Sequence, residues 1–184
     1  MTASPMDDDR FMSVALAARA LGLALLAYWT WGMAAAPMGS YSLGLVDMAN
    51  LVFHEAGHIV FSPFGRFMTV LGGSLLQVLI PIVAAVSFVR QQQPFGSAIC
   101  AWWAGQNFID LAPYIADARA LRMVLLGGRT GAEVEGHDWE FILTQLGMTH
   151  LDQQIGMASY ALGLLIMIGA LAFAARTILR GEAA

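Results

Sequence analysis

Phe67 to Val89 is a run of 23 residues without one charged side chain, and no other feature restricts the fold as much. A helix of that length crosses the hydrocarbon core of a bilayer while satisfying its backbone groups internally. Further apolar runs lie on either side: Phe11 to Ala36, interrupted only by Arg19, then the first half of Phe95 to Ala116, then Ile155 to Ala175. Charged residues make up only 12% of the chain, about half the share of an ordinary soluble domain. The pattern predicts an all-α, polytopic integral membrane helix bundle, with about four to five transmembrane helices. The lipid bilayer is therefore one partner. Nucleic acid is not: the nine basic residues are all arginine, form no patch, and leave a net charge of −4, unlike a nucleic-acid-binding surface.

No linker or repeat divides the chain, so residues 1–184 read as a single membrane domain. Spans are expected at about 18–37, 67–89, 95–116 and 155–175, with a further membrane-embedded helix at about 46–61. Residues 1–10 read as a short polar tail. Its Asp7-Asp8-Asp9 cluster is the reverse of the positive start of a cleaved signal peptide. Residues 118–152 hold most of the remaining charge and read as a polar loop followed by an amphipathic segment. Cys100 lies in an apolar run and suits a small buried hydrophobe. Gly72-Gly73-Ser74 suits close helix approach. If the helix at 46–61 crosses the membrane, Arg10, Arg19, Arg66, Arg119, Arg122 and Arg129 share one side, opposite Arg90, Arg176 and Arg180. That bias places the N-terminus in the cytoplasm, as in a bacterial inner (cytoplasmic) membrane.

Chemistry concentrates at His54-Glu55-Ala56-Gly57-His58, an H-E-x-x-H motif. Residues four apart share a helix face, so His54 and His58 can offer nitrogens to one metal ion, while Glu55 can take a proton from water polarised by it. Asp47 and Asn50 fall in the same arc, opposite Val52, Phe53, Ile59 and Val60. A second polar stripe comprises Gln106, Asn107, Asp110, Pro113, Tyr114 and Asp117, with Pro113 expected to bend or break its helix. Carboxylates at membrane depth are costly and need a partner, for which a metal ion is the obvious candidate, and a catalytic Zn2+ takes three protein ligands and keeps a position for water. The third ligand can come from Asp110, Asp117, His137, Asp138, Glu140 or His150. Asp110 and Asp117 are about 10 Å apart along a straight helix, so at most one binds the same ion. Asp138 also reads as the N-cap of the helix after it. Gln77 can reach the site or bond a neighbouring helix.

The H-E-x-x-H motif within a membrane helix resembles the site-2 protease family of intramembrane zinc metalloproteases. That family pairs it with an Asn…Pro…Leu-Asp-Gly motif on a later membrane helix. The similar stretch here runs from Asn107 through Pro113 to Asp117. The resemblance implies a zinc endopeptidase acting on a membrane protein or peptide. It makes His54, His58 and Asp117 the ligands, Glu55 the general base, and Asn107 a holder of extended substrate backbone. Asp110, His137 and Asp138 remain alternative ligands or supporting residues. Asp117 is flanked by Ala116 and Ala118 rather than Leu and Gly, and this departure sustains an alternative, a catalytically silent zinc-binding membrane scaffold or chaperone.

Overall fold

The computed structural model describes residues 5–181, with side chains from residue 12 onward. Six α-helices follow in order: α1 Pro5–Ala35, α2 Leu45–Phe61, α3 Arg66–Arg90, α4 Pro94–Ala116, α5 Asp138–Gln145 and α6 Asp152–Leu179. Among the described residues no strand forms, and Val124 and Thr130 make one isolated antiparallel bridge in the loop between α4 and α5. The polar tail expected over residues 1–10 is replaced from Pro5 by the first turns of α1. Residues 1–4 of that expected tail lie outside the described residues.

Local sequence sets the breaks. Ser62-Pro63-Phe64 closes α2 in a short 3-10 turn, and Gly65, at φ 89°, supplies a conformation that favours glycine before α3 folds back on α2. The expected break at Pro113 does not occur. A proline removes one backbone donor, but Asp117 N–H still closes the last turn on Pro113 O at 3.0 Å, and α4 continues to Ala116.

Helix α4 lies at the centre, packed most extensively against α6 and also against α3. Glycines explain the α4–α6 contact. A Cβ on Gly163 would sit 2.6 Å from the Gly105 carbonyl oxygen, one on Gly105 2.8 Å from Gly163 O, and one on Gly156 2.7 Å from Ala112 O. Seven-residue spacing on both helices brings the backbones together where any side chain would hold them apart. Helix α1 is tied on from outside, by Trp102 Nε1–H donating to Thr30 Oγ1 at 2.8 Å and Tyr160 O–H donating to Met33 O at 2.7 Å. Its outer face leaves Leu21 and Trp31 exposed.

Among the described residues, three helices are long and apolar enough to cross a membrane: Met12–Ala35 of α1, Arg66–Arg90, and the stretch Thr149–Leu179 that contains α6. Helix α2, at 17 residues, is about 25 Å long and falls short of a bilayer core of about 30 Å. Helix α4 has the length but carries Gln106, Asn107 and Asp110, all away from the surface or nearly so. Helix α4 is thus the interior, and α2 packs on α3 with its polar side chains turned inward and Leu45, Met48, Val52 and Ile59 exposed on its outer face.

Candidate metal centre

Helix α2 turns His54 and His58 toward α3, where Gly72-Gly73 leaves room for them. The backbones of Gly57 and Gly72 are in direct contact, and a Cβ on Gly73 would fall 2.7 Å from His54 Nε2 and 2.8 Å from His58 Nε2. The two imidazoles meet edge to face, with ring centroids 4.9 Å apart. Into this corner reaches Asp138. Its Oδ2 lies 2.8 Å from His54 Nε2 and 3.4 Å from His58 Nε2. The three residues form the group that can hold a metal ion among the described residues.

The outer nitrogens make the arrangement chemically specific. His58 Nδ1 lies 2.9 Å from Thr69 O, and His54 Nδ1 lies 3.0 Å from Gln77 Oε1. Both partners are oxygens without a proton to give, so each imidazole donates its N–H there and leaves Nε2 bare. Two bare nitrogens then face a carboxylate oxygen. Lone pairs cannot hold together across 2.8–3.4 Å without a cation between them, either a proton or a metal ion. Donors around a tetrahedral zinc at about 2.0–2.1 Å are about 3.3 Å apart. The Asp138–His58 distance matches that spacing, and Asp138–His54 is shorter by about half an ångström.

A sharply folded loop delivers Asp138. The Asp117 carboxylate accepts N–H groups from Arg122 at 3.0 Å and Met123 at 2.8 Å, and Ala132 N–H closes on Leu121 O at 3.1 Å. His137 then packs on Tyr114, with ring centroids 4.4 Å apart and Nε2 3.4 Å from Asp117 Oδ2. Burial pushes the His137 imidazole below its ordinary range, against the opposing pull of the Asp117 and Asp138 carboxylates. The Asp138 N–H donates to Tyr114 Oη at 2.9 Å, and Trp139 Nε1–H donates to Ser74 Oγ at 3.2 Å. Helix α5 is thereby pinned to both α4 and α3. Burial acts to raise the Asp138 carboxyl, but its bonds to the two histidines outweigh it and hold the group below the usual carboxylate range.

Each residue expected at the site can now be placed. His54 and His58 converge. Glu55 lines the same cavity of about 610 Å³, walled by Leu51, Met123, Val124 and Leu126. Asp117, the third ligand implied by the resemblance, is not brought to the histidines. It anchors the loop that carries Asp138. Asp138 is not the N-cap: His137 takes that position, its Nδ1 accepting Glu140 N–H at 3.1 Å, which frees the aspartate side chain for the histidines. Asp110 borders the cavity but meets amides, accepting from Gln77 Nε2 at 2.9 Å and Asn50 Nδ2 at 3.2 Å. Asn107 donates to Trp103 O at 2.9 Å, within its own helix, and its Oδ1 has no partner among the described residues. Glu140 accepts from Thr144 Oγ1 at 3.5 Å on the far side of α5, and His150 is exposed in the turn before α6.

Sequence reasoning missed the Thr69 carbonyl, because a backbone acceptor leaves no trace in residue type. It placed Tyr114 on the polar stripe without a role, whereas its Oη receives the Asp138 N–H. The Gly73 wall had a visible signal, a paired glycine opposite a helix whose motif itself contains Gly57. Comparisons with protein-family models, curated proteins and solved structures found no match for this chain.

Proposed function

We propose that this chain is an intramembrane zinc metallopeptidase in which His54, His58 and Asp138 hold the ion and Glu55 is the general base. Two bare Nε2 atoms facing one carboxylate, with both Nδ1 atoms secured by oxygens, carry this reading. Two histidines and a carboxylate form a familiar catalytic zinc set that leaves a position for water. Zinc held there supplies a Lewis acid to water and to a substrate carbonyl. The protein's own residues do the rest. Glu55, one residue from a ligand and on the same cavity, accepts the proton of the attacking water and returns it to the departing amine. Leu51, Met123, Val124 and Leu126 give the cavity an apolar wall, which suits an unwound membrane segment, since a backbone still bonded within its helix offers no free amide.

In this reading α2 and α4 lie at membrane depth beside the three longer apolar helices. The N-terminus is cytoplasmic and the membrane is a bacterial inner membrane. Metal content of purified protein, paired with cleavage of a membrane-inserted apolar peptide, tests the proposal. Wild type is expected to hold about one zinc per chain and to cleave, and Glu55→Gln to retain zinc while losing about a hundredfold or more in rate. Full cleavage by Glu55→Gln rejects the peptidase and leaves a zinc-binding scaffold. Metal-free wild type rejects both.

A further inference from the structure

The buried and half-buried side chains between α2, α3 and α4 form a relay in which every amide has one available orientation. Trp103 Nε1–H can only donate, and it lies 2.8 Å from Asn50 Oδ1. The Asn50 amino group therefore faces Gln106 Oε1 at 2.8 Å and Asp110 Oδ2 at 3.2 Å. Gln106 gives its own amino group to Asp47 Oδ1 at 3.2 Å, and Asp47 Oδ2 accepts from Ser42 Oγ and Leu43 N–H, each at 2.7 Å. At the other end Gln77 donates to Asp110 Oδ2 at 2.9 Å. Its oxygen is then the atom left for His54 Nδ1, at 3.0 Å.

We infer that Asp110 and Gln77 are positioning residues for the metal centre: Asp110 orients the Gln77 amide, and that amide selects the His54 tautomer able to bind a metal. The inference rests on the His54–His58–Asp138 site proposed above. Without the Asp110 carboxylate, the Gln77 amide is free to turn over and aim its NH2 at Nδ1. An imidazole that accepts at Nδ1 carries its proton on Nε2, where an N–H faces the ion. Supporting groups of this kind fix ring and tautomer in metal-ligating histidines, and their loss weakens binding by about ten- to a hundredfold. Asp110 thus controls an ion it does not touch.

A double-mutant cycle on the full-length protein in detergent tests this, with Zn2+ and Co2+ affinities read by chelator competition. Asp110→Leu and Gln77→Leu are each expected to lower affinity by about ten- to a hundredfold. The double variant should lose no more than Gln77→Leu alone, because both act through one contact. Asp110→Asn keeps an oxygen for Gln77 and Asn50 to donate to, and should stay within about twofold of wild type. Multiplying losses in the double variant, or an Asn variant as weak as the Leu variant, would overturn the inference, because Asp110 would then act by a route other than the Gln77 amide. The Asn arm decides the matter even where a Leu variant fails to fold. A metal-free wild type overturns the site together with this inference, whereas metal-loaded wild type with multiplying losses overturns the inference alone.

Discussion

Gly73→Ala places one methyl group in the corner where the two imidazoles meet. The new Cβ would lie 2.7 Å from His54 Nε2, 2.7 Å from His58 Cε1 and 2.8 Å from His58 Nε2, well inside a contact distance of about 3.5 Å. The rings must turn away, and turning them breaks the bonds to Gln77 and Thr69. Two such neutral hydrogen bonds contribute about 1 kcal/mol each, and a forced methylene in a packed site costs about 1–3 kcal/mol. The sum is about 3–5 kcal/mol against the metal-bound geometry, or a loss of about a hundredfold or more in affinity. The metal-free fold meets the same clash, offset only in part by the gain of about 1 kcal/mol that alanine has over glycine within a helix, so its unfolding midpoint should fall as well. Chelator competition measures the affinity, and thermal unfolding with and without zinc measures the fold. Wild-type metal affinity in Gly73→Ala would refute the placement, because the nitrogens could not then face the ion from beside Gly73.

Asp138→Ala should lose most bound metal, whereas Asp117→Ala should keep the ligand set but loosen the loop at residues 121–136, read as faster limited proteolysis there. If Asp117→Ala lost metal while Asp138→Ala retained it, the two roles assigned here would be reversed. Gly163→Leu must separate α4 from α6, since its side chain would start 2.6 Å from Gly105 O. A loss of at least about 3 kcal/mol is expected, visible as a lower unfolding midpoint in detergent, and a wild-type midpoint would deny the close crossing. Removing metal from the wild type with a chelator should lower the unfolding midpoint. Restoring zinc at about a hundred times its dissociation constant should return about 2.7 kcal/mol; an unfolding curve indifferent to zinc would mean that the folded state does not bind it.

Most of the helical architecture was legible because apolar length and turn residues act locally. The expected helix at about 46–61 is observed at Leu45–Phe61, and that at about 95–116 at Pro94–Ala116. The small-residue reading of Gly72-Gly73 also has a direct counterpart, a backbone contact with Gly57. The number of spans was less legible. Helix α4 reads as a span by length, yet its Gln106, Asn107 and Asp110 side chains are what the other helices enclose, and among the described residues three helices combine the length and apolarity to cross. A residue string shows that a helix is polar on one face but not which neighbours cover it.

The two histidines were legible for the same local reason, a four-residue spacing within one helix. The acidic partner was legible only as one of several candidates, because it arrives through loop closure rather than through a helix period. Eighty-four residues separate His54 from Asp138, and the approach depends on several weak local choices made together. Asp117 must take two backbone N–H groups, His137 must cap α5, and Tyr114 must receive the Asp138 N–H. In isolation, these residues read otherwise: Asp117 as a ligand, His137 as one of several candidate ligands, Asp138 as a cap or another candidate ligand. Their roles follow from one another. Once Asp117 is committed to the loop it cannot reach the histidines, and once His137 caps the helix the Asp138 carboxylate needs another partner. Two imidazoles with bare nitrogens are within reach, and a shared cation is what would reconcile all three groups.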